Sequence, residues 1–383
     1  MLKYRRTIAI SLLGLVAAGL LAISGQGQPP AARRASRFGF TKHANAHARQ
    51  ARQHLKPGSK RQPEAVTLTY GLIDFPRSPA SNAFGINSKG DVVGGYGPQA
   101  PPPAYYFETT GYSLKKDTYR TLAYPGATYS APYGINDKGV IIGFYDLLGD
   151  QNFRGYMYKG TEFTNIDYPG AEATAAAAIN NSDEVIGIYF DSSNVQHGFM
   201  LKKGIYTSID VPNSYDTEPW GINSEGVIVG TYYDFNNIQH GFVYQAGQFT
   251  TVDYPGATNS VLTSINDAGQ IVGTYGDGVT VAGEEWDTSN VFLLDQGTFT
   301  PLALPLGDIQ VTWSYTLTGS EFVGFYVDST GNLFGYEAQL PNGAGLAAAN
   351  GYSGKAPIPL NLLSSGSSPR TLSLKDSAPG SRN

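Results

Sequence analysis

The sequence contains no cysteine among its 383 residues, which excludes disulfides, thiol catalysis, cysteine-based zinc sites and iron–sulfur clusters. Charged side chains are scarce, at 15% of the chain, whereas glycine (47) and tyrosine (26) are abundant. A turn-rich, aromatic-rich and charge-poor composition favours β-structure over helical bundles. The common enzyme motifs are also missing: there is no Gly-x-Ser-x-Gly elbow, phosphate loop, dinucleotide fingerprint or His-Glu-x-x-His site.

Charge is divided unevenly along the chain. Residues 1–64 hold 12 of the 26 Lys and Arg but a single acid, Glu64, whereas the residues that follow carry 14 basic and 30 acidic side chains. The overall charge of −5 therefore combines a basic leader with a strongly acidic body. An acidic body argues against nucleic acid as a partner and is compatible with cations or with neutral ligands such as glycans.

The first residues have the order of a bacterial export signal. Lys3, Arg5 and Arg6 precede an uncharged stretch over 7–23, which ends at the small residues Ser24 and Gly25. This order predicts a signal peptide over 1–24, or a signal anchor, since about 17 apolar residues are close to the minimum that spans a bilayer. The protein is thus expected to be secreted, periplasmic or at the cell surface, with membrane association only if the leader stays uncleaved.

Two flanking segments have the composition of disordered chain. Residues 25–64 are rich in Gln, Ala, Arg and Pro and include His43, His47 and His54, while 341–383 contains Gly-Ser and Ala-Pro-Gly runs. Neither segment has enough apolar surface to order itself. The basic linker could bind an anionic polymer or a metal, but a solvated linker is the favoured interpretation. A single ordered domain is therefore predicted over 65–340.

The region between these segments is organised by a repeat of 43 to 51 residues. Five copies contain an Ile-Asn pair seven residues before a glycine, and in a sixth, degenerate copy Leu317 replaces the asparagine before Gly324. The five repeat asparagines are Asn87, Asn136, Asn180, Asn223 and Asn266. Their recurrence predicts a structural role in each unit.

Each unit is predicted to contain four short strands, which is typical of a β-propeller blade. The sixth unit supplies only three strands before the tail, and the missing strand matches Tyr70–Pro76 at the other end of the body. The sequence therefore predicts an all-β, six-bladed β-propeller closed by an N-terminal strand that completes the last blade. An open stack or a β-sandwich is the alternative, but neither explains the displaced strand.

The repeats share three short motifs: Ile-Asp-Tyr-Pro-Gly-Ala, Ile-Asn-x-x-Gly and His-Gly-Phe, the last at His197 and His240. With these motifs they resemble the bacterial extracellular family called HAF, after its His-Ala-Phe motif. The resemblance covers about residues 66–340 and implies an exported repeat protein. The family has no settled activity, so the resemblance carries over no catalytic residue.

Polar residues that recur in the repeat are candidate sites. Loops between the second and third strands begin with aspartates, which are Asp146, Asp191, Asp234, Asp277 and Asp328. The loops at Asp191 and Asp234 could bind calcium, although a turn role is favoured because they lack the later bidentate glutamate. His197 and His240 follow theirs by six residues and are interpreted as structural rather than catalytic. No metal or cofactor is predicted.

Departures from the repeat point to a ligand face. The fifth unit carries an insertion over 276–290, and a loop over 212–219 of the fourth unit is expected on the same face. All three tryptophans fall in units four to six. Aromatic faces beside carboxylates are suited to stacking on sugars and accepting hydroxyl hydrogen bonds, while the alternative is ordinary packing and a solvated loop. The candidate ligand-binding residues are Trp220, Trp286, Trp313, Glu218, Glu284, Glu285 and Asp287.

The sequence thus predicts an exported binding or scaffold module without a cofactor, with polysaccharide or an envelope protein as partner and a monomeric state. The alternative is a polysaccharide hydrolase or lyase that uses carboxylates on the same face, because glycosidic cleavage requires two such groups flanking the bond. No catalytic residue is assigned.

Overall fold

The computed structural model describes residues 65–340 except 79, 98–109, 148–151, 282–283, 287–288, 307 and 330–331. The predicted signal peptide (1–24), linker (25–64) and tail (341–383) lie outside the described residues. Within the described part, 27 strands and no helix are present, so the fold is all-β as predicted. No helix of this part is long and apolar enough to cross a membrane.

The strands are short, and most have four to seven residues. In chain order they are β1 (Val66–Thr67), β2 (Thr69–Ile73), β3 (Ala80–Ile86), β4 (Val92–Gly97), β5 (Thr110–Lys115), β6 (Thr118–Leu122), β7 (Ala127–Ile135), β8 (Ile141–Leu147), β9 (Arg154–Lys159), β10 (Glu162–Ile166), β11 (Ala173–Ile179), β12 (Val185–Phe190), β13 (Gln196–Lys202), β14 (Ile205–Ile209), β15 (Asp216–Ile222), β16 (Ile228–Tyr233), β17 (Gln239–Gln245), β18 (Gln248–Thr251), β19 (Asn259–Ile265), β20 (Ile271–Gly276), β21 (Val279–Val281), β22 (Glu284–Trp286), β23 (Asn290–Asp295), β24 (Thr298–Ala303), β25 (Val311–Thr318), β26 (Glu321–Val327) and β27 (Leu333–Gln339).

Each repeat unit folds into a four-stranded antiparallel sheet, whose strands we call A to D. The second, third and fourth units form separate sheets, β7 to β10, β11 to β14 and β15 to β18. The fifth consists of β19, β20, β23 and β24, with β1 added in parallel to its outer edge. The first unit (β3 to β6) is joined to the sixth by one bridge, between Ser81 and Phe334.

The sixth unit obtains its fourth strand from the other end of the domain. Strands β25, β26 and β27 follow one another, and β2 pairs antiparallel with β27, from Thr69 opposite Gln339 to Ile73 opposite Gly335. The displaced strand expected from the sequence is therefore β2. The short strand β1, which was not expected, also ties the N-terminal end of the body to the fifth unit.

In an antiparallel meander, the A–B and C–D turns lie at one end of the sheet, and the B–C loops and D–A linkers lie at the other. We call these the turn end and the loop end. The side chains of the repeat asparagines hydrogen-bond from one A–B turn to the next: Asn87 Nδ2 donates to the Asn136 carbonyl (3.1 Å), Asn136 to Asn180 (3.1 Å), Asn180 to Asn223 (3.0 Å), Asn223 to Asn266 (3.5 Å) and Asn266 to Gly319 (2.7 Å). The turn ends of all the units therefore lie side by side.

The same asparagines also shape their own turns. Asn180 Oδ1 accepts hydrogen bonds from the backbone N–H groups of Ser182 (2.9 Å) and Glu184 (3.0 Å), and the other copies repeat this pattern. An asparagine in this position stabilises a tight turn through its side chain while its amide remains available as a donor. One residue type thus stabilises both the turn and the junction with the next unit.

The linkers between units are held by a second recurrent contact. The aromatic residue before the proline of each Tyr-Pro-Gly linker stacks on a strand B aromatic of the next unit, with ring centroids 3.6 Å apart for Tyr124 and Tyr145 and 3.7 Å for Tyr168 and Tyr189. The backbone N–H of Tyr168 also donates to Thr174 Oγ1 in the next strand A (3.0 Å). The linker motif therefore orients successive sheets.

The sixth unit departs from the expected alignment. Leu317 was predicted at the asparagine position, but it pairs with Phe322 as Ile222 pairs with Ile228, so it takes the place of the isoleucine. The irregularity in its strand A spans two residues rather than one, and its A–B turn is correspondingly shorter. The longer irregularity and the shorter turn offset each other in length. Leu317 therefore precedes Gly324 by seven residues, as the asparagines do in the other units, without being at the asparagine position.

Candidate functional site

Every strand A has an irregularity in its pairing with strand B, of one residue in the first five units and of two in the sixth. The register shift falls at Phe84, Tyr133, Ala177, Trp220 and Thr263 in the first five units and at Tyr315 and Thr316 in the sixth. Extra residues of this kind form β-bulges, which turn a side chain away from the regular ladder. The same seven residues line a single pocket, so the bulges of all the units converge on one point.

This central pocket is small and largely filled by its own aromatic lining. It has a volume of about 260 Å³, including space open to solvent. Phe84 stacks on Tyr133 with centroids 4.5 Å apart, and Tyr315 meets Phe84 edge-on at 5.1 Å. The indole N–H of Trp220, a residue 7% exposed, has no hydrogen-bond partner among the described residues. The bulge residues therefore chiefly pack against one another where the units converge.

Three of the predicted ligand-binding residues lie in this inner layer. Trp220 and Trp313 are 7% and 5% exposed, and Trp313 lies parallel to Phe325. Glu218 was expected in a loop over 212–219, but it belongs to β15 and is fully buried. The expectation of a loop position for Glu218 is therefore wrong, because strand A begins at Asp216, before the proline that suggested a loop end.

Glu218 belongs to a buried acid pair that the sequence analysis did not identify. Gln196 Nε2, from strand C of the third unit, donates to Asp216 Oδ1 (2.8 Å) and Glu218 Oε1 (2.6 Å). Burial raises the pKa of Asp216 well above its ordinary value, and the adjacent Glu218 carboxylate raises it further, against the opposing effect of the Gln196 hydrogen bond. The pair links the third and fourth sheets and favours a proton on Asp216.

The predicted insertion of the fifth unit forms a separate two-stranded hairpin. Strands β21 and β22 pair antiparallel, with Val279 opposite Trp286 and Val281 opposite Glu284. Glu284, Glu285 and Trp286 thus lie in β22, whereas Asp287 is outside the described residues. The hairpin belongs to a B–C connection and lies at the loop end.

The neighbouring B–C loop of the fourth unit exposes a large apolar side chain. Phe235 is 75% exposed, and the loop around it is ordered by Asp234, whose Oδ1 accepts from the backbone N–H of Asn236 (2.8 Å) and Ile238 (2.9 Å). Tyr215 from the preceding linker donates its hydroxyl to Asn237 Oδ1 (2.7 Å). An ordered loop thus holds a solvent-facing aromatic ring beside the hairpin unit.

Both motif histidines contact carboxylates of their own units. His197 Nδ1 lies 3.0 Å from Asp210 Oδ1, and His240 Nδ1 lies 2.8 Å from Asp253 Oδ2. Each ring also stacks on a strand B tyrosine, Tyr189 or Tyr232, at centroid distances of 5.0 and 5.1 Å. The two sites are equivalent copies, each closing the outer part of its own sheet.

The loop aspartates hydrogen-bond to their own turns. Asp191 Oδ1 accepts from the Ser193 and Val195 backbone N–H groups, both at 2.8 Å, and the Val195 bond is the largest effect lowering the pKa of Asp191. Asp328 Oδ1 accepts from Asn332 N–H in the same way (2.9 Å). Among the described residues, no group of three or more His, Asp or Glu side chains is arranged to hold a metal ion.

Comparison with known proteins gives structural similarity but no family. The chain matches no protein-family model and no curated protein, so the resemblance to HAF repeats stays a prediction.

Similar solved structures include virginiamycin B lyase from Staphylococcus aureus (10% identity, TM-score 0.42, 71% of this chain and 100% of that one). A second is Aleuria aurantia lectin in complex with Fucα1-6GlcNAc (10%, 0.43, 67% and 91%), and a third is TolB from Acinetobacter baumannii (14%, 0.39, 82% and 72%). At these identities and TM-scores, they assign neither a ligand nor a residue role to this chain.

Proposed function

We propose that the six repeat units form a closed, six-bladed β-propeller. The convergence of one bulge from each strand A on a common pocket supports this arrangement, as does the ladder of asparagine side chains from the first A–B turn to the sixth. Contacts also join the last unit to the first: Thr316 Oγ1 donates to the Phe84 carbonyl (2.8 Å), and Phe334 bridges Ser81. Strand β2 completes the sixth blade.

We infer that this propeller is an exported binding module whose ligand face is the loop end of the fourth and fifth units. The single observation that carries this inference is the coincidence, on adjacent units at one end, of the inserted hairpin β21–β22 and the 75% exposed ring of Phe235. Both features depart from the repeat pattern of the described residues, and a binding site needs such a departure. Export rests on the signal-like order of residues 1–24.

The proposed ligand is a glycan. Aromatic rings stack on the C–H faces of sugars, and carboxylates accept hydrogen bonds from sugar hydroxyls. Strand β22 contains both residue types, as Glu284, Glu285 and Trp286, and it belongs to the unit that follows the one carrying Phe235. Trp220, Trp313 and Glu218 support the site only indirectly, because they belong to the buried inner strands.

The test is co-sedimentation of the full chain with a panel of insoluble polysaccharides, with soluble sugar assayed in the same tubes. We expect binding without sugar release, weakened about tenfold or more by Trp286→Ala and by Phe235→Ala. Ile205→Ala is the matched control, since Ile205 is 69% exposed but lies beside a C–D turn at the opposite end. Binding unaffected by both aromatic substitutions would refute this ligand face.

The same tubes test the hydrolase or lyase alternative. Sugar release that is lost in Glu284→Gln or Glu285→Gln would establish catalysis on the hairpin and replace the binding-module proposal. Glu218 is a poor candidate for such chemistry, because it is fully buried and its Oε1 accepts from Gln196. Absence of binding to every polysaccharide in the panel would reject the glycan as ligand.

A further inference from the structure

The two halves of the repeat array differ in charge. Residues 65–203 carry 10 Lys and Arg and 13 acids. Residues 204–340, which run from strand β14 of the third unit to β27 of the sixth, carry 16 acids and no Lys or Arg. Acidic side chains in a stretch of this length ordinarily have basic neighbours on the same surface. The second half of the body therefore cannot neutralise its own acids.

The partners of the acidic side chains at the turn end differ between the two halves. In the first half, acids of the A–B turns pair with lysines: Asp91 with Lys115 (3.0 Å), Asp183 with Lys138 (3.2 Å) and Glu184 with Lys202 (2.6 Å). In the second half, acids at the turn end receive hydrogen bonds from neutral groups, Asp267 from Ser224, Asp295 from Gln270 and Glu321 from Gln339. Asp137 of the first half, at the repeat position of Asp267, likewise accepts from a serine, Ser88. Burial raises the pKa of Glu337, and the like charge of Glu321 raises it further.

The basic part of the chain joins the body at this acidic half. Strand β1 lies parallel to β24 on the outer edge of the fifth unit, with Val66 opposite Leu302. Because β24 runs from the turn end to the loop end, the parallel strand β1 begins at the turn end. Lys60 and Arg61 precede Val66 by six and five residues, a reach of about 20 Å in an extended chain, enough to arrive at the turn that carries Asp295.

We propose that the turn-end surface of the last three units, formed by Glu225, Asp267, Asp295 and Glu321, is a docking surface for the chain's own basic segment, residues 33–61. This segment carries nine Lys and Arg and no acid, so its charge complements a surface that has no basic residue of its own. Tethering through β1 keeps the segment at high local concentration beside the surface, which favours intramolecular binding. The proposal is independent of the proposed glycan site, which lies at the opposite end.

Zero-length carbodiimide crosslinking of the full chain tests the proposal, because it joins lysines only to carboxylates that they touch. Lys42, Lys56 and Lys60 are the reporters in the basic segment. We expect their crosslinks to fall on Glu225, Asp267, Asp295 and Glu321 and to be rare at the first-half turn acids Asp91, Asp137 and Asp183, which serve as matched controls. Crosslinks spread evenly over both halves, or absent, would overturn the proposal.

Two further arms make the test specific. Replacing the six arginines of the segment (Arg33, Arg34, Arg37, Arg49, Arg52 and Arg61) by Gln leaves the reporters in place and should lower the crosslink yield about tenfold, as should 1 M salt, where the screening length falls to about 3 Å. An equal mixture of isotopically light and heavy chains separates crosslinks within one chain from those between chains. Crosslinks that predominantly join a light chain to a heavy chain would overturn docking of the segment on its own chain. They would indicate that a second copy of the chain occupies the surface.

Discussion

At the scale of single residues, the glycine that closes each repeat is required by close packing and not by an unusual backbone angle. A Cβ atom on Gly187 would lie 2.0 Å from the Ala175 carbonyl oxygen and 2.9 Å from the Phe199 ring. The closing glycines of the other units meet the equivalent carbonyl at similar distances. Strand B therefore approaches strand A at this point too closely for any side chain.

We expect Gly187→Ala to lower the free energy of unfolding by about 2–4 kcal/mol, because backbone on both strands must shift to admit one methyl group. Gly71→Ala is the control, since a Cβ on Gly71 meets no atom within 4 Å and Gly71 is not in the left-handed region. Equilibrium denaturation of both variants gives the comparison. Equal stability of the two variants would contradict the packing explanation.

The buried acid pair makes stability depend on pH in a specific direction. The folded pKa of Asp216 is raised above its unfolded value, so this residue's contribution to stability is complete at low pH and is lost as the pH rises through the raised pKa. Asp216→Asn retains a neutral side chain at every pH. We expect it to raise the thermal midpoint at pH 8 by about 2–4 °C, with the difference vanishing toward pH 4.

Asp137→Asn is the control of opposite sign. Desolvation alone would raise the pKa of Asp137, but hydrogen bonds from Ser88 and Asn181 and the charge of Lys89 outweigh it and lower that pKa. Its contribution is therefore present at neutral pH and lost as the pH falls through the lowered pKa, so Asp137→Asn should lower the midpoint at pH 7. If the thermal midpoints of both variants change with pH in parallel with that of the unsubstituted protein, neither carboxylate causes the pH dependence of stability.

At the scale of elements, different residues perform one role in different units. The third and fourth units place His197 and His240 against Asp210 and Asp253, while the second unit places Arg154 near Asp167, whose pKa it lowers against the larger effect of burial. The first and fifth units have neither the base nor the acid at these positions. The motif histidine thus belongs to an acid–base contact between strands C and D. The sixth unit keeps only the acid, with Asp74 after β2 and Phe334 at the position of the base.

The asparagine ladder predicts which single side chain couples neighbouring sheets. Asn180→Ala removes the bonds to Ser182 and Glu184 within the turn and the bond to the Asn223 carbonyl of the next unit. We expect a loss of about 2–3 kcal/mol in the free energy of unfolding, since buried groups lose their partners.

Asn236→Ala tests whether that loss depends on the position in the ladder. Asn236 is exposed, and its side chain bonds only to Asp234 in the same loop, so we expect a loss within about 0.5 kcal/mol. Chemical denaturation measures both variants. A comparable loss in the two would show that the ladder has no special importance.

At the scale of the whole molecule, the N-terminal end of the body connects two units that the chain reaches last. Strand β1 pairs with the fifth unit and β2 with the sixth, so residues 66–73 join segments more than 200 residues away. Contacts of such large sequence separation form late and at a high entropic cost. Stability of the last two units should therefore depend on this short segment.

A disulfide across the β2–β27 junction tests the pairing directly, because the chain has no other cysteine. Thr69 lies opposite Gln339, so Thr69→Cys with Gln339→Cys should form the bond on oxidation and raise the free energy of unfolding by about 2–4 kcal/mol. Leu72→Cys with Gln339→Cys is the control, being three residues out of register. Bond formation in the mismatched pair alone would contradict the register of β2.

The sequence predicted those features that repeat. The period of about 43 residues, the four strands per unit, the all-β fold and the displaced strand at Tyr70–Pro76 all follow from local patterns of apolar residues, glycine and turn formers, which recur because each unit solves the same packing problem. The insertion in the fifth unit could also be predicted from the sequence, because it interrupts the repeat period, and it forms the hairpin β21–β22.

Only the tertiary structure decided how positions in different units meet. The bulges that bring Trp220 into the central pocket, the contact of Gln196 with Asp216 and Glu218, and the approach of β1 to β24 depend on the relative placement of whole sheets. Glu218 reads as a loop residue beside Pro219, yet it is buried because strand A starts earlier than the proline suggests. Periodicity specifies each unit, whereas burial and electrostatics at these sites arise from contacts between units.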